Sequence, residues 1–531
     1  MTSRLPIAWP VYAAAIGLVA FATGGLGRIA LVSSGCLGKS QLRQLAAEVA
    51  IGILGFCVVL GALSELNAPL QAVIVVVGVL LVAGLVSLVV EVIRAGRSTI
   101  LRIGVAVVLS VSLLIAGFTP VNPGAADPVN YAYITATLFR PDWVPANLGA
   151  LPNSSWYVDL AREGMLVRSA AVALLWPPAV WGLGLEARSV AGLAAWLTAI
   201  SFLLLVDLLH GQAPLLVRAV LAAGGLGAFN STAVLVGGQV NQAFAIASVL
   251  AAVWLYRWLP TELPRTAILF LPGAAITAAY PEFLAAVPLC FLCVVALGTQ
   301  TSRRIAAAAA GLAAGPALIL VLSRFGAVEY VLSKAGQGPS WWPLPEDPQN
   351  VADVWRAVIL QFPPPRLTPL LIIPAVWFGW RVYSSTTSSG PPRFVLLCEM
   401  AALAALVAAW SWLILQAPNA NYATFKIGGW IGPGLVILAW QFARRVNPFV
   451  GKPLAAAVLG LAMLRSLGMA ANVAAVVPDY ATSLSHAPSA QAAQDSDGRC
   501  HVVLTSTQQE VVAAAIASSA APARNCDVIG A

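Results

Sequence analysis

Charge is what this chain lacks. Of 531 residues only 9% are Asp, Glu, Lys or Arg, against 60% hydrophobic and a mean hydropathy of +0.86. A soluble domain carries roughly 25% charged residues, so a water-soluble fold is excluded and an integral membrane protein is expected. Alternation of polar and apolar residues over barrel-length strands is also missing. The spans must then be helices, because lipid offers no partner to an unpaired backbone N–H or C=O. There is no polybasic run behind the net charge of +8, so nucleic acid is not implied; Lys and Arg fall mainly in short loops, where they set topology. No small-x-small cleavage site follows the apolar residues 7–22, which argues against a cleavable signal peptide. No repeat of fixed period and no inverted halves are visible.

What is there is a series of apolar runs of about 20 residues, the length of a membrane span. Spans are expected near 8–32, 45–64, 69–92, 101–119, 189–208, 215–236, 240–256, 266–280, 282–298, 305–323, 367–380, 394–415, 427–443 and 453–478. The fold class this predicts is an all-α polytopic membrane protein of about 14 transmembrane helices. Five groups of basic residues lie between spans: Arg94, Arg97 and Arg102; Arg257 and Arg265; Arg303 and Arg304; Arg381 and Arg393; Arg444, Arg445 and Lys452. Placing all five in the cytoplasm puts a large first loop (120–188), loop 324–366 and the C-terminal tail outside. It also puts the N-terminus outside, despite Arg4. Residues 166–186 are apolar enough to span, but Pro177-Pro178 would break the helix. Trp176 and Trp181 suit an interface, so a helix lying in the outer membrane surface is expected there.

Residues 1–100 therefore read as N-terminal transmembrane helices, 101–478 as a transmembrane core with two outer loops, and 479–531 as a linker and a small extracytoplasmic α/β cap. From Pro478 to Gly498 the sequence is Ser/Ala/Asp-rich, like a linker. Beyond it, strand, helix and strand are predicted over 501–530, bracketed by Cys500 and Cys526, which could pair if the tail is outside the cytoplasm. The Cys290-x-x-Cys293 pair is flanked by Leu, Phe and Val and reads as packing rather than redox or metal chemistry.

The residues able to do chemistry gather at the outer rim. The segment 127–156 holds Asp127, Tyr131, Tyr133, Arg140, Asp142, Trp143 and Trp156 beside a span end. Asp127-Pro128 is ordinary turn chemistry, but a carboxylate over a half-wet cleft could also act as a general base on a hydroxyl. Glu282, in Tyr280-Pro281-Glu282, could simply stabilise a helix start. Gln239, in the run 237–242 (GGQVNQ), offers an amide to hydroxyls or marks a plain turn. Trp341, beside Trp342, belongs to an interfacial belt or stacks on sugar rings. Lys426, with Tyr422 four residues before it, opens a span, where a cation is unfavourable beside the helix N-terminus. Snorkelling is the ordinary reading; an anionic partner such as a lipid phosphate is the functional one, with Arg140 assisting.

An acidic residue soon after a span, a long aromatic outer loop and then an interfacial helix resemble the GT-C superfamily of membrane glycosyltransferases. Glu186-Ala-Arg188-Ser-Val opening a span, His210-Gly211, Tyr280-Pro281-Glu282 and Tyr422-x-x-x-Lys426 are similar to joints in bacterial members. The resemblance covers roughly 100–480 and is architectural. It implies an inverting sugar transfer from a polyprenyl-phosphate donor to a glycan or lipid acceptor at the outer face of the cell membrane. Asp127 would be the catalytic carboxylate, and Lys426, Tyr131, Glu282, Tyr422, Arg140, Trp341 and Gln239 would bind substrate. Asp127 is preceded by Ala126 where many members carry a second acid, so no metal and no other cofactor is expected. The Ala/Val/Arg bias and the C-terminal cap are similar to actinobacterial envelope enzymes. Two rival classes are a transporter or lipid-linked-sugar flippase, for which Asp207, Glu399 and Arg465 are the buried ionisable candidates, and a noncatalytic scaffold.

Overall fold

A computed structural model of the protein describes residues 9–34, 41–66, 68–116, 135, 174–177, 187–209, 214–228, 240–258, 269–279, 302–322, 491–494, 500–504 and 527–530. These form helices α1 (Trp9–Ser33), α2 (Gln41–Glu65), α3 (Leu70–Ala116), α4 (Ala187–Leu208), α5 (Leu215–Ala228), α6 (Val240–Trp258), α7 (Phe270–Ala279) and α8 (Ser302–Leu322). Strands β1 (Gln491–Gln494), β2 (Cys500–Leu504) and β3 (Asp527–Gly530) follow. Among the described residues, 4 helices are long and apolar enough to cross a membrane: those containing Ala14–Ser33, Leu45–Leu63, Leu70–Arg94 and Val240–Arg257. The described helical part is that of an all-α membrane protein.

Helices α1 and α2 form an antiparallel pair, and α3 packs along α1. Glycine makes this closeness possible. A methyl group built at Gly52 of α2 would overlap the carbonyl oxygen of Thr23 on α1, and one at Gly27 would overlap the carbonyl of Glu48. Between α1 and α3 the same holds for Gly25 against Gly84, and for Gly84 against Ala22. Where lipid removes the hydrophobic drive between helices, such backbone-to-backbone approach is the main source of packing energy. The hydroxyls carried into this interior satisfy themselves on their own helix. Thr23 donates to the Ala20 carbonyl at 2.7 Å, Ser201 to Leu197 at 2.9 Å and Ser248 to Phe244 at 2.7 Å, so each can sit in an apolar core without a partner elsewhere.

Helix α3 differs from the expected pair of spans at 69–92 and 101–119. It is one helix of 47 residues, roughly 70 Å long at 1.5 Å per residue. That is more than twice the roughly 30 Å hydrocarbon layer. The interruption was inferred from Arg94, Arg97 and Arg102, yet arginine is a good helix former, and Gly96 alone costs only about 1 kcal/mol relative to Ala. No proline lies between Leu70 and Ala116. The three arginines therefore lie along a helix and not in a turn between two helices. The helix also runs unbroken through residue 100.

The second unit is built around α6. Helices α4 and α6 pack along each other with their C-terminal ends together, so they run parallel, and α5 packs on α4. Helix α7 joins this unit to α2 and packs on α8, where Gly273 and Gly315 let the backbones approach. Trp176 corrects the expectation of an interfacial residue. It is 2% exposed and packs in the protein core with Leu174 and Leu175.

In the C-terminal sheet the order is β1-β2-β3. β1 is antiparallel to β2, with Gln491 opposite Val503 and Gln494 opposite Cys500; β2 is parallel to β3, with His501 opposite Asp527. Strand β1 falls inside the stretch read as a linker. Asp-Gly is a common turn pair, and Asp497-Gly498 stands in the sequence between β1 and β2, inside the stretch whose composition suggests a linker.

Candidate functional site

The residues singled out at the outer rim, Asp127, Tyr131, Arg140, Gln239, Glu282, Trp341, Tyr422 and Lys426, all lie outside the described residues. Of the segment 120–186 the structure describes Thr135 and 174–177, and every one of these is buried. What can be built from the residues upward is three polar clusters inside the apolar helices.

The first ties α1, α2 and α3 together. Arg28 Nη1 lies 3.1 Å from Glu48 Oε1, and Arg28 Nη2 lies 2.5 Å from Glu91 Oε2. Glu48 is buried, while Arg28 and Glu91 keep 17% and 23% of their side chains exposed. Arg28 is near the end of α1, Glu48 near the start of α2 and Glu91 near the end of the apolar window Leu70–Arg94. All three therefore sit at one depth, towards one end of the three-helix unit. A guanidinium presents a planar fork of donors that serves two carboxylates at once. The hairpin order of α1 and α2 is what brings the charges level. The sequence reading missed this cluster, although a signal was present: opposite charges at matching depths of successive apolar runs.

The second cluster closes the C-terminal ends of α4 and α6. Trp254 donates its indole N–H to Asp207 Oδ2 at 2.8 Å, and both side chains are buried. Arg218, in the first turn of α5, donates to the Val206 carbonyl at 3.3 Å, and Arg257 donates to the Leu208 carbonyl. The last carbonyls of α4 thus receive cationic donors, which suits the negative end of a helix dipole. Asp207, considered above as a transport residue, is tied into this helix terminus.

The third is the first turn of α6, where Asn241 is 1% and Gln242 3% exposed. Gln242 Oε1 is buried and accepts no hydrogen bond among the described residues. It belongs to the same GGQVNQ joint as Gln239, three residues further on. Side chains on a helix lean towards its N-terminus, so this amide leans to the end where the segment 120–186 enters α4. Twelve residues separate Gln242 from Trp254, roughly 18 Å of helix, so the second and third clusters mark opposite ends of one helix.

Among the described residues no three His, Cys, Asp or Glu side chains come together as metal ligands. Chemically, the first cluster balances charge, the second caps a helix, and in the third the Gln242 amide oxygen, which has no donor among the described residues, could accept from a hydroxyl or N–H. No protein-family model matches the chain, and no curated protein or solved structure shows significant similarity to it.

Proposed function

We propose that the chain is a multi-pass cell-membrane glycosyltransferase of GT-C type. It would move a sugar from a polyprenyl-phosphate donor to an envelope glycan or lipid acceptor on the extracytoplasmic side. The observation that supports this reading is the polarity of α6. Its C-terminal end carries Arg257 with Arg218 beside it, and its N-terminal end carries the amides Asn241 and Gln242. By the positive-inside rule the arginine end is cytoplasmic. The amide end, where the segment holding Asp127 joins α4, then faces outward. In this reading Asp127 takes the proton of the attacking acceptor hydroxyl. Lys426 holds the departing phosphate and offsets its charge; Tyr131, Glu282, Tyr422, Arg140, Trp341 and Gln239 line the donor and acceptor sites. The test is transfer of radiolabelled sugar from a prenyl-phosphate donor by reconstituted protein. Asp127→Asn lowers kcat by at least about a hundredfold with expression and melting temperature unchanged, and Lys426→Ala weakens donor binding. Full turnover in Asp127→Asn would remove the central role.

One observation favours a second reading. The Arg28–Glu48–Glu91 cluster is the sort of intramembrane charge group found on transport paths, and it suits a flippase for lipid-linked sugars. A flippase moves labelled donor lipid across sealed vesicles with no sugar transferred; the enzyme transfers sugar without moving the lipid.

A further inference from the structure

Most buried polar side chains in these helices have an evident partner, and the amide oxygen of Gln242 has none among the described residues. The buried Thr23, Ser201, Ser248 and Thr277, like the half-buried Thr198, each donate to a carbonyl three or four residues earlier. Asp207 takes the indole of Trp254, and Glu48 takes Arg28. Gln242, 3% exposed, leaves Oε1 buried without a hydrogen bond among the described residues. An unsatisfied buried acceptor destabilises a fold, and in lipid no water compensates it. Methionine would fill the same volume at no such cost.

The position supplies the second half of the argument. Gln242 is the third residue of α6, a helix of 19 residues, where backbone N–H groups have no intrahelical partner. Those N–H groups and the positive end of the helix dipole favour an anion. An amide oxygen that leans to the same helix end favours a hydroxyl. A ligand with a phosphate and a hydroxyl a few ångströms apart satisfies both.

We propose that Gln242 Oε1 accepts a hydrogen bond from a hydroxyl of the donor sugar while the N-terminus of α6 faces the phosphate that carries it. This rests on the glycosyltransferase reading and names a specificity residue for it, shifting the amide of the GGQVNQ joint that meets sugar from Gln239 to Gln242.

The experiment uses full-length protein in nanodiscs, titrated with a short prenyl phosphate carrying a hexose and with the same prenyl phosphate bare. Wild type binds the sugar-bearing lipid more tightly. Gln242→Met loses about tenfold for that lipid, the worth of one good hydrogen bond, and keeps its affinity for the bare phosphate. Its melting temperature is unchanged or higher, because an unmet acceptor has been removed. Gln242→Glu, which retains an acceptor but adds a charge that weakens both phosphates, still prefers the sugar-bearing lipid to the bare one, a preference that Gln242→Met loses. Equal affinities of wild type and Gln242→Met for both lipids would overturn the proposal and leave Gln242 as a residue bonded to internal water. Equal losses for both lipids would overturn it too, as a packing effect. Should Gln242→Met fail to fold, the wild type is titrated with single-deoxy hexose lipids; indifference to every deletion overturns the proposal. A wild type that binds neither lipid defeats the glycosyltransferase reading itself.

Discussion

The two described helical units solve the same problem in opposite ways. In the α1–α3 unit the charges meet sideways, with Arg28 bridging Glu48 and Glu91 across three helices. Around α6 the polar groups sit at helix ends, with Arg218 and Arg257 on terminal carbonyls of α4 and Asn241 and Gln242 in the first turn of α6. The apolar surfaces differ as well. Of the α3 window only 22% is buried, against 94% of the α6 window. Val75, Val79, Val82, Val86 and Val89 of α3 form an open face. Such a face has the composition expected of lipid contact, whereas α6 is a central post wrapped by other helices. A peripheral unit needs lateral ties that lipid cannot replace. A central helix is held by packing along its length, and only its ends are left to carry polar groups.

The largest effect comes from breaking the glycine contacts of the peripheral unit. Gly52→Leu drives a side chain into the α1 backbone and costs about 3 kcal/mol or more. Gly55→Ala, three residues on in open space, gains up to about 1 kcal/mol from the better helix former. Thermal unfolding followed by gel filtration separates them, and equal melting temperatures would refute the close crossing of α1 and α2.

Next comes the lateral tie itself. Arg28→Ala leaves two carboxylates facing each other with no cation between them and costs about 3 kcal/mol. Trp254→Phe removes a single hydrogen bond to Asp207 and costs about 1 kcal/mol. If the two losses match in the same melting assay, the distinction between sideways pairing and end capping fails. The smallest effect belongs to the open face. Val82→Ala changes stability by less than about 0.5 kcal/mol, whereas Leu54→Ala, in the buried α2 core, costs about 2–5 kcal/mol. A large loss at Val82 would mean that protein, not lipid, covers α3.

Among the described residues helix placement was largely legible, because it depends on local hydropathy and length; the spans expected near 282–298, 367–380, 394–415, 427–443 and 453–478 lie outside them. The runs expected near 8–32, 189–208, 240–256 and 305–323 appear as α1, α4, α6 and α8 within a few residues. The turn expected at Arg94–Arg102 was not real, because a cluster of arginines reads the same in a loop as on the shaft of a long helix. Trp176 was misplaced for a similar reason: a tryptophan beside two prolines suits both a membrane surface and a core. Strand β1 was hidden by its Ala/Gln composition, which carries no strand preference. The site proposed around Asp127 and Lys426 was argued from clustering along the sequence, and those residues lie outside the described part.

Composition and the spacing of apolar runs were enough to make this a helical membrane protein, since lipid penalises every unpaired backbone group wherever it occurs in the chain. Only the tertiary structure decided that Arg28 serves both Glu48 and Glu91, that α4 runs parallel to α6, and that Gln242 is a buried acceptor with no donor among the described residues. Those facts depend on which helices lie side by side and at what depth. In the α1–α3 unit that choice is made by glycine-to-backbone contacts, and at α4 and α6 by bonds such as Trp254 to Asp207, all between residues far apart in the sequence, and no local window contains them.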